Sequence, residues 1–188
     1  MSRPPIARNR VLDAARQIVM ERGAGALTYE ELVEVSGITR GGITYHFATK
    51  QALLRALIEH DLQHWDAAEA EHRPQDEPEA LADLLGFLRV HTAPDTDRRR
   101  FVSGMVGAAM HDPSVLEPAR AYEAERLAKI DDSDAALRQQ LLRLAAMGMF
   151  WADFFGCPEL PEPLKERLRD LLEELAREWT EPASSTGD

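Results

Sequence analysis

Residues 36–50 read SGITRGGITYHFATK, and the fold turns on how this stretch is read. A tight Ser36-Gly37-Ile38 turn leads into a short segment of helical spacing that holds two adjacent glycines, Gly41 and Gly42. Each glycine costs about 1 kcal/mol relative to alanine inside a helix. A helix that keeps both is held by its neighbours and gains something from bare backbone. Just upstream, Thr28-Tyr-Glu-Glu31 has the capping-box pattern, with Thr28 covering a free backbone N–H and Glu31 reaching back. Leu32, Val33 and Val35 continue that helix until Gly37 stops it. A capped helix, a glycine-containing turn and a second short helix form a helix-turn-helix pattern, whose second helix enters the major groove of DNA.

Outward from this core the chain reads as helices throughout. One is expected from about residue 7 to 22, where Val11, Ala14, Ala15, Ile18 and Val19 recur at helical spacing before Gly23. Thr49 is placed to cap a long fourth helix to about residue 72, with Leu53, Leu54, Leu57, Ile58, Leu62 and Trp65 on one face. After the Arg73–Pro78 break, helices are expected at about 78–92, 97–110, 113–130, 133–156 and 162–180, with prolines in the gaps or first turns. The expected fold is all-α with about nine helices. A three-helix DNA-binding head over residues 1–50 is joined by the fourth helix to a ligand-binding and dimerisation body over 51–182, and residues 183–188 form a disordered tail.

Charge divides the chain in the same place. Its 188 residues carry a net charge of −11, but residues 1–50 hold seven Lys/Arg and five acids. The head is therefore +2 and the remainder −13. The single cysteine, Cys157, excludes an intramolecular disulfide and a cysteine-based zinc cluster. MSRPPIARNR lacks the apolar core of a signal peptide, and the longest apolar stretch, Leu144 to Ala152, is too short to span a membrane. A cytoplasmic protein without cofactor or metal is expected.

On the second helix of the motif, Thr39, Arg40, Thr44, Tyr45 and His46 are expected to be exposed, followed by Lys50. Arg40 suits a bidentate contact to guanine O6 and N7, and the others suit phosphate oxygens. Glycines at 41 and 42 leave no side chain between backbone and duplex. Tyr29 and Glu30 open the preceding helix, and Glu30 is expected to point away from DNA or to select bases by repulsion.

The stretch VLDAARQIVMERGAGALTYEELVEVSGITRGGITYHFATKQALL resembles the DNA-binding domain of the TetR family of transcriptional regulators, over about residues 8–55. The resemblance implies a dimeric repressor that releases a palindromic operator when a small molecule binds the body. Carried over by position, it makes Arg40 the base reader. Thr28, Thr44, Tyr45, His46 and Lys50 become phosphate or mixed contacts, with Tyr29 and Gly41 in the same surface. Thr39 becomes the cap of the recognition helix and Phe47 a core anchor. Thr44 departs from the family pattern by standing where a tyrosine is common, and Leu32-Val33 replaces the usual Ile-Ala pair.

In the body, Met and aromatic side chains suit an adaptable, largely apolar effector cavity. Candidates are Trp65, Phe87, His91, Phe101, Met105 and Tyr122, then Met147, Phe150, Trp151 and Phe154. Asp153, inside MFWADFF, would favour a cationic ligand if it faced that cavity. The last two helices are apolar on more faces than one chain covers. Leu141, Leu144, Gly148, Trp151 and Phe155 on one, with Leu164, Leu168, Leu171, Leu172 and Leu175 on the other, are expected to pack against a second copy. Two rival readings carry features of their own. His60 and His64 have the spacing of a metal-binding pair, which would imply a metal-dependent enzyme. The amphipathic C-terminal helices would alternatively serve a helical adaptor that does not read DNA sequence.

Overall fold

The computed structural model describes residues 4–180, with side chains from residue 6 onwards. The expected tail at 183–188 lies outside the described residues. Among them the chain forms nine α-helices and no strand: α1 Pro4–Arg22, α2 Tyr29–Ser36, α3 Arg40–His46, α4 Lys50–Glu71, α5 Glu79–Thr92, α6 Thr96–His111, α7 Glu117–Leu127, α8 Asp134–Phe155 and α9 Glu162–Thr180. The boundaries follow local chemistry. Thr28 Oγ1 accepts from the Glu31 N–H at 3.2 Å, Thr39 Oγ1 from the Gly42 N–H at 3.2 Å and Thr49 Oγ1 from the Ala52 N–H at 3.0 Å. Gly37 and Gly156 end α2 and α8 in the left-handed region, at φ 66° and 61°. None of the described helices is long and apolar enough to cross a membrane.

Two local expectations differ. The helix expected over 113–130 is split: Pro113–Leu116 is a 3-10 turn and α7 starts at Glu117. A continuous α-helix would need the N–H of residue 118 to reach the Ser114 carbonyl, and Pro118 has none. The Glu117 N–H takes that carbonyl instead. The capping box is also half-made, because the Glu31 carboxylate pairs with Arg22 and does not return to the cap.

The chain packs as two units. The first contains the described residues up to Gln63 together with Asp95–Glu125, and is thus larger than the head expected over 1–50. Its core joins Leu12 and Ile18 of α1, Leu32 of α2, Ile43 of α3 and Leu53 and Leu57 of α4 to Phe101 and Met105 of α6. α6 lies directly on α1, since a Cβ added at Gly104 would stand 2.2 Å from the Val19 carbonyl oxygen. The second unit contains His64–Pro94 and the described residues from Arg126 onwards. There α5, α8 and α9 pack on one another around Leu84, Leu85, Leu88, Leu142, Ala146, Leu172 and Ala176. Arg89 of α5 ties to Glu173 of α9 by two hydrogen bonds, 2.8 and 2.9 Å.

Candidate functional site

The seven-residue α3 is too short to stand alone. Its two glycines weaken it by about 2 kcal/mol. Burial of Ile43 (0% exposed) and Phe47 (2%) more than offsets this, at about 1.5–3 kcal/mol each. With those side chains in the core, the other face of α3 is left open. Arg40, Gly41 and Tyr45 are exposed, Thr39 at the cap is exposed, and Thr44 and His46 are half-buried. Tyr45 is 82% exposed, with its ring edge-on to His46. Lys50 is exposed at the start of α4, its Nζ 3.4 Å from the Gly25 carbonyl oxygen.

The two glycines have different reasons. A Cβ at Gly41 would meet nothing within 4 Å, so the bare backbone there faces open space. A Cβ at Gly42 would stand 2.9 Å from Ile38 Cγ2 and 3.4 Å from Thr39 Oγ1. Gly42 is therefore set by packing within the motif, and of the two glycines Gly41 alone has open space beside it. Thr28 and Thr39 both act as helix caps. The Thr44 hydroxyl donates back within its own helix, 3.0 Å from the Arg40 and 3.2 Å from the Gly41 carbonyl oxygen. Its proton is already placed, which leaves a lone-pair acceptor where the sequence suggested a donor to phosphate. Tyr29 is half-buried, and its hydroxyl donates to the Phe47 carbonyl at 3.1 Å, fastening the start of α2 to the end of α3. Arg40 lies with its guanidinium carbon 5.5 Å from the Tyr29 ring centre and pairs with Glu30. Glu30, expected to point away from DNA or to select bases by repulsion, is thus paired within the motif itself.

The body candidates separate into groups. Phe101 and Met105 are core residues of the first unit, where Arg16 stands over the Phe101 ring, and Tyr122 is half-buried on α7 in the same unit. In the second unit Phe87 and His91, both 4% exposed, stack at 3.7 Å, and Trp65 meets His91 edge-on at 5.4 Å. Three charged residues that the sequence reading missed join them. Arg126 and Arg143 hold their guanidinium carbons 5.0 and 4.6 Å from the Phe87 ring centre, and Arg126 donates twice to Glu69, at 3.3 and 3.2 Å. Burial pushes the Glu69 carboxyl above its ordinary value, with Arg126 pulling the other way. The only sequence signal was Arg143 inside the apolar run LLRLAAM.

Phe150 is buried, Met147 half-buried beside the same core, and Phe154 lies 6.1 Å from Phe150 and 5.6 Å from Trp151 between ring centres. Asp153 is half-buried and pairs with Lys165. The same Lys165 Nζ also lies 3.4 Å from the Glu162 carboxylate. His60 Nε2 lies 3.1 Å from Asp13 Oδ1, and among the described residues no group of three or more His, Cys, Asp or Glu could hold a metal ion.

On α8, Leu137, Leu141, Leu144, Trp151 and Phe155 are exposed by 41–67%, with exposed Gly148 completing the row. On α9, Leu164 and Leu171 are exposed and Leu168 half-buried. Steps of three and four residues keep each row on one side of its helix. Leu172 and Leu175 depart from the expected partner-facing set: Leu172 is buried in its own core and Leu175 packs against it. Leu171 and Leu172 are about 100° apart around a helix, so neighbours in sequence face different neighbours in space.

The family description "Bacterial regulatory proteins, tetR family" matches residues 11–57, and "Tetracyclin repressor-like, C-terminal domain" matches residues 83–177. The chain belongs to the TetR family. Among curated relatives of this TetR-family chain, the HTH-type transcriptional regulator TtgR of Pseudomonas putida is 30% identical over 82 residues, 44% of this chain and 37% of that protein. The regulator SrpR, also of Pseudomonas putida, is 31% identical over 51 residues, 27% of this chain and 24% of that protein. The matched stretch thus spans well under half of these relatives. Solved structures match over most of the chain. A TetR-family member from Streptomyces coelicolor A3 has a TM-score of 0.64 at 24% identity, covering 90% of this chain and 97% of that one. The multidrug binding protein EbrR, complexed with imidazole, has a TM-score of 0.64 at 25% identity, covering 93% of each. The matching family is thus one of bacterial regulatory proteins, and these curated relatives are HTH-type transcriptional regulators.

Proposed function

We propose that the protein represses transcription by binding a two-fold symmetric operator as a homodimer, and releases it when a small molecule occupies the body. The observation that carries this is the open face of α3, with Arg40, Tyr45 and the bare backbone of Gly41 turned outward while Ile43 and Phe47 are buried. In this reading Arg40 reads a guanine, and Tyr45, His46 and Lys50 hold phosphates. Thr28 and Thr39 contribute mainly by fixing the two helices, with Tyr29 as the brace between them. The exposed apolar rows of α8 and α9 supply the dimer surface, burying Leu141, Leu144, Trp151, Phe155, Leu164 and Leu171 against the partner's copies.

In this reading the effector binds at the Trp65, Phe87 and His91 cluster in the second unit. Its aromatic faces suit a flat, largely apolar molecule, and Glu69, Arg126 and Arg143 beside them make polar groups on that molecule matter. The multidrug binding character of EbrR supports small-molecule control. α4 begins at Lys50 and carries Trp65 and Glu69 near its end, so one helix joins the DNA-facing residues to the effector cluster. Two recognition helices must stand about 34 Å apart to enter successive major grooves, and an effector that changes that spacing weakens operator binding. Selection from a pool of random duplex DNA tests the reading. A two-fold symmetric site should emerge with the intact protein, and a pool that stays random after repeated rounds overturns it.

A further inference from the structure

We infer that Glu30 is a specificity-determining residue that acts by holding Arg40 in place, so that the guanidinium yields to a guanine and resists other acceptors. The inference rests on the operator-binding reading above. Its ground is a chain of three contacts. Arg40 is the first residue of α3, 65% exposed, and its Nη1 is paired with the Glu30 carboxylate on α2, itself 71% exposed. The same guanidinium lies 5.5 Å from the centre of the Tyr29 ring. The Tyr29 hydroxyl is fixed to the Phe47 carbonyl at 3.1 Å, so the ring under Arg40 is itself anchored. Most long surface arginines sample many rotamers. This one has a flat ring on one side and a carboxylate at its end.

An exposed pair of this kind adds little to folding, so its effect falls on the binding step. Docking must replace the carboxylate with something at least as good. Guanine offers two acceptors, O6 and N7, in the geometry of the guanidinium fork. A single phosphate oxygen or a lone N7 offers less, and the displaced Glu30 then faces the duplex as an uncompensated negative charge. The major-groove edges that tolerate a carboxylate are donors, the amino groups of cytosine and adenine. Glu30 thus weakens binding everywhere and weakens it least where Arg40 meets guanine beside such a donor.

The experiment uses the full-length protein and the duplex recovered from the random pool, together with its three replacements at the base pair read by Arg40, and a scrambled duplex. Binding is measured for wild type, Glu30→Gln, Glu30→Asp, Arg40→Ala and the Glu30→Gln/Arg40→Ala double variant. Glu30→Gln should bind scrambled DNA about two- to fivefold more tightly and lose guanine preference by a similar factor, the range exposed ion pairs command. Glu30→Asp keeps the charge but is one methylene too short to hold Arg40. It should bind scrambled DNA like wild type and still lose guanine preference. In the Arg40→Ala background, Glu30→Gln should leave base preference at that position unchanged. The inference is overturned if Glu30→Gln keeps full guanine preference, if Glu30→Asp is indistinguishable from wild type, or if the preference shifts equally without Arg40. A wild-type protein that enriches no site overturns operator binding itself, and this inference with it.

Discussion

Gly41 and Gly42 look alike in the sequence and differ in what surrounds them. Alanine at 41 would face open space, so Gly41→Ala should raise stability by up to about 1 kcal/mol through helix propensity. Alanine at 42 would press on Ile38, so Gly42→Ala should lower it by about 1–3 kcal/mol. Urea denaturation of the two variants checks this, and the opposite ranking would contradict the geometry. If backbone at 41 lies against DNA, Gly41→Ala also weakens operator binding while it stabilises the fold. The helix-capping threonines were legible in the sequence, because a cap is a contact over three residues. The partners of Arg40, Glu69 and Asp153 were not, because each depends on how distant helices come together: Glu30, Arg126 and Lys165 lie 10, 57 and 12 residues away.

Among the helices, the contact between α5 and α9 depends on a charge. Arg89 and Arg177 hold the Glu173 carboxyl below its ordinary value of 4.5, the Arg89 hydrogen bonds being the main cause. A carboxylate whose folded pKa is depressed stabilises the fold above its unfolded pKa and loses that contribution as pH falls through the folded pKa. Glu173→Gln should therefore cost about 0.5–1 kcal/mol at pH 7. The difference from wild type should shrink as pH drops below 4.5. Thermal melting at several pH values measures it, and a difference that grows on acidification would contradict the assignment. The packing of α6 on α1 has a steric test. Gly104→Ala would drive a methyl into the Val19 carbonyl and should destabilise by about 1–3 kcal/mol or more. Nothing in the local sequence marks Gly104 as different from Gly107, beside which a Cβ would meet nothing within 4 Å. Helix existence was readable from periodicity and caps, and helix adjacency was not. The break before α7 was missed for a subtler reason, since it lies in the hydrogen bond that Pro118 cannot donate.

At the scale of the whole molecule, a chain with a net charge of −11 is read as a DNA binder because its charge and its apolar surface are both unevenly placed. The exposed row on α8 is the most direct handle on assembly. Leu144 is 54% exposed, so Leu144→Glu leaves the chain's own core intact while placing a charge in the proposed dimer seam. Light scattering should give twice the chain mass for wild type and the single-chain mass for the variant. The row itself was legible from three- and four-residue spacing. The assignment of Leu172 and Leu175 to the inner core was not, because a helix apolar on two sides does not say which side faces its own chain.

The claim at the centre is that Arg40 on α3 reads sequence while the remaining contacts hold backbone. The direct measurement is the ratio of affinities for the selected duplex and a scrambled duplex, for wild type and Arg40→Ala, over a series of salt concentrations. Wild type should favour the selected duplex by at least about 10³-fold. Arg40→Ala should reduce that ratio by about 5- to 150-fold, the equivalent of 1–3 kcal/mol, while changing the salt slope by no more than about one phosphate contact. A ratio that Arg40→Ala leaves unchanged, or one lost only in step with general affinity, would contradict it.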